Sequence, residues 1–200
     1  MAKTRLEYEE KYWKLGYQIL GIDEAGRGPL CGPVVVVGVC LNEGYYNETI
    51  NDSKKLNTQT RNLLFEEIKR NSLYYIEVIE PSEIDKYNIY QATKRGFQRI
   101  ANKFDGFILT DCMPLEDKQH ESLIKGDSKS MSIAAASIIA KVTRDNIMLE
   151  YDKLYPAYEF AKHKGYPTKR HLELLKIHGV LPFYRFSYKP VRELTEIKLF

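Results

Sequence analysis

The chain has 200 residues, 44% of them hydrophobic, which is enough apolar material to bury a full core and sets a prior of one to two domains. Its net charge of +3 permits an anionic partner without demanding one. Three cysteines with no CxxC and no Cys/His pair argue against a zinc site, and no apolar stretch nears a membrane span, so a reduced cytoplasmic protein without a membrane partner is expected.

Residues 4 to 14 read as a short charged helix, followed by a strand over about 17 to 23. Val34 to Leu41 is β-branched and reads as a central second strand. A polar loop, 42 to 57, leads into a helix over Thr58 to Arg70, with apolar spacing at Leu64, Phe65 and Ile68. Tyr74 to Ile79 is a third strand, stopped by Pro81. A helix over Asn88 to Lys103 precedes a fourth strand, Phe107 to Thr110, which ends at Asp111. Ser122 to Ile124 is a short fifth strand. The longest helix runs from Lys129 to about Tyr151, with Ala134 to Ala140 at its middle, where small side chains let a helix lie close to a sheet. Gly165 and Pro167 mark a loop, and Thr168 is an N-cap for a helix that ends at Gly179. An aromatic tail from Pro182 leads to a last short helix, Val191 to Lys198. Hairpin-ready early strands, then helix–strand–helix alternation, predict an α/β fold with a mixed five-stranded sheet and helices on both faces.

The chemistry concentrates where the first strand runs into Asp23-Glu24-Ala25-Gly26-Arg27-Gly28-Pro29. Buried charge is costly unless it is paired or holds a metal. Successive strand residues face opposite sides, so Asp23 and Glu24 share a site only if the strand ends there or one acid reaches round the edge. Gly26 and Gly28 let the backbone approach a ligand and expose its N–H groups. Acids for a divalent cation beside amides and an arginine suit cleavage or transfer of a phosphodiester. Asp145, four residues after Lys141 on a helix, reads as a surface ion pair.

This string resembles the signature of ribonuclease HII, the bacterial branch of the type 2 ribonucleases H, in the HII rather than the HIII form. Three further stretches carry the resemblance, which runs from about Gly21 to about Tyr184: Gly106 to Asp111, Lys125 to Ser130, and His163 to Thr168. It implies a ribonuclease H-like catalytic domain over residues 1–185, its first strand central, and a small C-terminal helical extension over 186–200. It implies a four-acid cluster of Asp23, Glu24, Asp111 and Asp127 that is both catalytic and metal-binding. Mg²⁺ or Mn²⁺ follows from that cluster, with two metals activating water and stabilising the leaving 3′ oxygen. The family's Asp111 is usually followed by glycine, whereas Cys112-Met113-Pro114 follow here. Tyr166 is implied to read the junction between a ribonucleotide and the next deoxynucleotide, and Gly26, Arg27 and Gly28 to contact the 2′-hydroxyl. The turn Asp52-Ser53-Lys54-Lys55 is also similar, with Lys54, Lys55 and Lys164 expected on substrate phosphates.

The implied function is an endoribonuclease that cuts the RNA strand of RNA/DNA hybrids and the 5′ side of single ribonucleotides in duplex DNA, leaving 3′-hydroxyl and 5′-phosphate ends. It is expected to act as a monomer. The terminal Glu196-Ile197-Lys198-Leu199-Phe200 partly resembles a sliding-clamp ligand, and folding back against Phe186 or Tyr188 is its competing role. Two other functions compete with the nuclease. A sugar-phosphate enzyme would need a phosphate cradle, but Walker A spacing is missing and Gly26-x-Gly28-x-x-Cys31 lacks a third glycine. A binding module without catalysis would leave four acids facing a polyanion.

Overall fold

The computed structural model describes residues 5–196. A five-stranded sheet carries the described residues, in the order β3-β2-β1-β4-β5. Its strands are β1 (Ile19–Ala25), β2 (Val34–Leu41), β3 (Ser72–Ile79), β4 (Phe107–Asp111) and β5 (His120–Leu123). The first three form an antiparallel meander, and β4 and β5 join parallel to β1, so β1 is the central strand. The valine run of β2 is buried throughout because the sheet is covered on both faces.

Helices α1 (Glu7–Trp13), α2 (Thr58–Arg70), α3 (Pro81–Tyr87), α4 (Ile89–Ala101), α5 (Met131–Leu154), α6 (Phe160–His163), α7 (Lys169–His178) and α8 (Lys189–Glu196) complete the fold. One face of β2, Val35, Val37 and Val39, packs on Ala134, Ala135 and Ile138 of α5 and Ile68 of α2. The opposite face of the sheet, Leu20 and Ile22 of β1 with Val34 and Val36 of β2, packs on Ile84 of α3 and on Phe97 and Ile100 of α4. A third cluster joins Leu30, Cys31, Met148, Phe160, Tyr184 and Val191, so α8 docks on the same body.

Pro81 does end β3, but as the first residue of α3 rather than as the start of a loop. Proline's fixed φ suits that helical position, where no N–H partner is needed. Asn88, at φ +64°, then breaks the chain between α3 and α4, and its side chain accepts from the amides of Tyr90 and Gln91. Thr168 caps α7 as expected, accepting from the His171 amide at 3.2 Å, and Gly179 ends that helix. Asp145 pairs with Lys141 at 2.7 Å across one turn of α5. The short helix α6 lies just before the loop marked by Gly165 and Pro167. No helix among the described residues is long and apolar enough to cross a membrane.

Candidate active site

Pairing between β1 and β4 stops at Ile22 and Thr110, while β1 stays paired with β2 through Ala25. The sheet therefore opens on the β4 side just where Asp23, Glu24 and Asp111 emerge. β1 does not end at its acids, so the expected strand end holds for one neighbour only. Asp23 is 6% exposed, and its Oδ1 accepts the Glu24 amide at 2.7 Å. It lies on the α5 face, where the nearby Ser137 hydroxyl favours its charged form and lies 2.9 Å from the buried Ser53 hydroxyl.

Burial pushes Asp23 well above the usual carboxylate range, and the charges of Glu24 and Asp111 push it further. Burial also raises Glu24; Arg27 opposes the shift and Asp111 adds to it. The Arg27–Glu24 contact, at 3.5 Å and partly exposed, is a weak ion pair. Asp111 Oδ1 accepts the Gly126 amide at 2.8 Å, tying the end of β4 to a single 3₁₀ turn, Gly126–Ser128, that carries Asp127. Burial raises Asp127, with Asp52 and Asp111 next as causes.

Asp23, Glu24 and Asp111 thus act on one another as charges, and Asp127 joins them through Asp111. Among the described residues no three His, Cys, Asp or Glu side chains converge into one finished ligand group. The donor set still fits a hard divalent cation: every donor is a carboxylate oxygen, and a cation would relieve the mutual repulsion that raises Asp23 and Glu24. Asp52, Ser53 and Ser137 belong to this cleft; the first two were named only as part of the lysine turn, and Ser137 was not singled out. Asp52 opens the turn expected for its lysines, and Ser137 hides inside an alanine-rich run.

The substrate-facing candidates divide by placement. Gly26 has φ +104°, and a Cβ there would overlap the Arg144 side chain and crowd the Pro33 carbonyl. A Cβ on Gly28 would stand 3.6 Å from the Tyr166 ring, so the glycine loop and Tyr166 lie against each other. Lys54 acts as a positive charge on both Glu24 and Asp127, while Lys55 is exposed beside it. Lys164 Nζ donates to the Ala161 carbonyl at 2.6 Å and so caps α6.

Two stacked histidines hold the Tyr166 loop. His163 Nδ1 accepts the Gly165 amide at 3.1 Å, and His171 Nδ1 lies 2.9 Å from the Tyr166 carbonyl. Burial holds His171 down at about 4, so it is neutral at pH 7. A neutral ring can donate from Nδ1 to Tyr166 while Nε2 accepts the Tyr184 hydroxyl at 2.7 Å.

Cys112, the residue after Asp111, has φ +54°. This explains a glycine preference at that position: an L side chain in the left-handed region costs about 1–2 kcal/mol. Cys112→Gly is expected to raise stability by up to about 1 kcal/mol, the relief being partly offset by the greater freedom of glycine in the unfolded chain. Urea denaturation checks this; a loss would mean that the thiol's 3.5 Å contact with the Leu123 carbonyl outweighs the strain.

The family model for Ribonuclease HII matches residues 20–191. Ribonuclease HII of Francisella tularensis subsp. tularensis is 51% identical over 182 residues, covering 88% of this chain and 97% of the relative. Among solved structures, ribonuclease H2 from Pyrococcus horikoshii superposes with a TM-score of 0.76 at 25% identity, over 90% of this chain and 98% of that one. The ribonuclease HII of an Archaeoglobus fulgidus complex with PCNA gives 0.71 at 25% identity, over 86% and 95%.

Proposed function

The chain belongs to the ribonuclease HII family, and from that premise we propose which of its residues carry the reaction. It is an endoribonuclease that acts on RNA/DNA hybrids and on ribonucleotides embedded in DNA, and its family depends on divalent metal. Asp23, Glu24, Asp111 and Asp127 would hold Mg²⁺ or Mn²⁺, as two ions. Bound cations of this kind lower the pKa of the attacking water and offset charge on the leaving oxygen. The chain's own part is to fix the carboxylates: the Glu24 amide and Ser137 hydroxyl orient Asp23, and the Gly126 amide orients Asp111. One observation carries this reading: parallel neighbours β1 and β4 part at the level where Asp23, Glu24 and Asp111 emerge together.

Gly26, Arg27 and Gly28 would meet the 2′-hydroxyl, and Tyr166, 40% exposed above Gly28, would stack on the sugar at the junction. Lys54, Lys55 and Lys164 would line the phosphate path, Lys164 only after releasing Ala161. As the family's activity implies, cleavage would fall 5′ to the ribonucleotide and leave 3′-hydroxyl and 5′-phosphate ends. An assay on a duplex with one ribonucleotide, in Mg²⁺, tests the reading; uncut substrate would sink it. Tyr166→Ala is expected to lower cutting at an isolated ribonucleotide about 10- to 100-fold, and cutting inside a long hybrid much less, because stacking is worth about 1–3 kcal/mol per base. Tyr166→Phe should be milder. Equal losses on both substrates would make Tyr166 general structure.

We also place the protein in the cytoplasm as a monomer, with 186–200 an extension of the 1–185 catalytic domain. The tail Glu196–Phe200 lies outside the described residues beyond Glu196. The Archaeoglobus fulgidus relative is recorded with the PCNA clamp, which supports a clamp-binding tail here. Deleting 196–200 is expected to abolish clamp binding in a pull-down and to leave duplex cleavage and Tm unchanged. A lower Tm in the truncated chain, with no clamp bound by the full one, would assign the tail to core packing.

A further inference from the structure

Arg144 and Arg185 are 1% and 0% exposed, the two largest fully buried side chains of the molecule's described part. A guanidinium removed from water is costly unless its donors are satisfied. Among the described residues neither is hydrogen-bonded to a carboxylate. Arg144 donates to the carbonyls of Pro33 at 3.1 Å, Lys164 at 3.0 Å and Cys31 at 3.3 Å. Arg185 donates to the carbonyls of Gly26 at 2.6 Å, Arg27 at 2.9 Å and Gly32 at 2.9 Å, and to the Tyr188 hydroxyl at 3.1 Å. Asp145 and Asp85 act on them only as more distant charges.

Their carbonyl partners belong to two loops that meet at the substrate reader. Arg144 bridges the glycine loop, through Pro33 and Cys31, to the Tyr166 loop through Lys164, and its guanidinium carbon lies 5.7 Å from the Tyr166 ring centre. Arg185 pulls the Gly26 and Arg27 carbonyls inward. In a trans peptide the C=O and the following N–H point in opposite directions. The amides of Arg27 and Gly28 are therefore turned outward, and among the described residues neither has an acceptor. Two consecutive free amides beside the Tyr166 ring form an anion- or hydroxyl-binding concavity.

We propose that Arg144 and Arg185 are positioning residues that set the selectivity for a ribonucleotide: Arg185 aims the Arg27 and Gly28 amides, and Arg144 holds Tyr166 in register above them. This rests on the assignment of Gly26–Gly28 and Tyr166 as the ribonucleotide reader. Lysine keeps the charge but offers three donors from a single point, so it cannot span carbonyls that the guanidinium reaches from the separate edges of its planar fork. Tyr188→Phe removes the hydroxyl that donates to the Arg27 carbonyl at 2.7 Å and accepts from Arg185 at 3.1 Å, while the guanidinium keeps its carbonyl partners, so no unpaired charge is buried.

The test measures kcat and KM for wild type, Arg144→Lys, Arg185→Lys and Tyr188→Phe on a single-ribonucleotide duplex and on a long hybrid, with Tm alongside. Misaligned reading groups should cost mainly kcat: about 30-fold or more for each lysine variant on the single ribonucleotide, under about fivefold on the hybrid, and about three- to tenfold for Tyr188→Phe on the former only. Where a lysine variant does not fold, Tyr188→Phe alone decides. Equal factors on both substrates, or no loss in Tyr188→Phe, would overturn the proposal. A wild type that cuts the hybrid but never the single ribonucleotide would instead overturn the reader itself, and the positioning role with it.

Discussion

Asp111→Asn is expected to abolish cleavage while duplex binding survives. The substitution keeps volume and shape, and the asparagine Oδ1 can still accept the Gly126 amide that Asp111 accepts at 2.8 Å. The end of β4 and the turn bearing Asp127 should therefore stay in place. What disappears is one negative charge from a set whose members repel one another. Asp23 and Glu24 both have Asp111 among the causes that raise them. Losing it would ease their repulsion, and with it the affinity for a divalent cation. A fall in kcat of about a thousandfold or more is expected, since the cations must generate the nucleophile and offset charge at once. Fluorescence anisotropy with labelled duplex should show Kd within about threefold of wild type, because phosphate contacts dominate nucleic-acid affinity. Near-normal turnover in saturating Mg²⁺ would remove Asp111 from the site.

Asp23, Glu24 and Asp111 stood out because they follow apolar strand runs, whereas Asp127, in a 3₁₀ turn after Lys125 and Gly126, was reached only through the family resemblance. The mixed character of the sheet was legible from the hairpin-ready β1 and β2 and the later alternation with helices, and the central place of β1 from the resemblance; the antiparallel pairing of β2 with β3 across α2 was not. The parts that stayed hidden act across distance in the chain. Arg185 touches Gly26 from 159 residues away, and nothing in an arginine following Tyr184 announces a backbone carbonyl as its partner. Ser137 is one small residue in a run of small residues, and only the fold turns it toward Asp23. Helix α3 was missed because Pro81 has two local meanings, strand stop and helix start, and the choice depends on Ile84 reaching the core.

The alanine run of α5 was expected to bring that helix close to the sheet, and the tightest approach turns out to depend on the strand as well. Gly21 lies at the centre of β1, paired with Val39 on one side and Leu109 on the other. A Cβ there would overlap the backbone of Ser132 and Ile133 in the first turn of α5. Backbone cannot swing aside as a side-chain tip can, so Gly21→Ala must push the helix off the sheet. The first turn is also pinned by buried Glu9, whose Oε1 accepts the Ser130 hydroxyl at 2.6 Å and the Ser132 amide at 2.9 Å, so the strain cannot relax locally. Overpacking of a tight core costs about 1–3 kcal/mol and sometimes more, and a backbone clash belongs at the upper end. At about 2–4 °C per kcal/mol for a chain of this size, Tm should fall by roughly 6–12 °C. Activity should fall further than stability, even well below Tm, because α5 carries Ser137 against Asp23 and its first turn follows Asp127 directly. Urea denaturation and kcat at 20 °C check the two effects separately. A Gly21→Ala protein within about 0.5 kcal/mol of wild type would show a slack contact between β1 and α5, and the account of how the helix fixes the acids would fail with it.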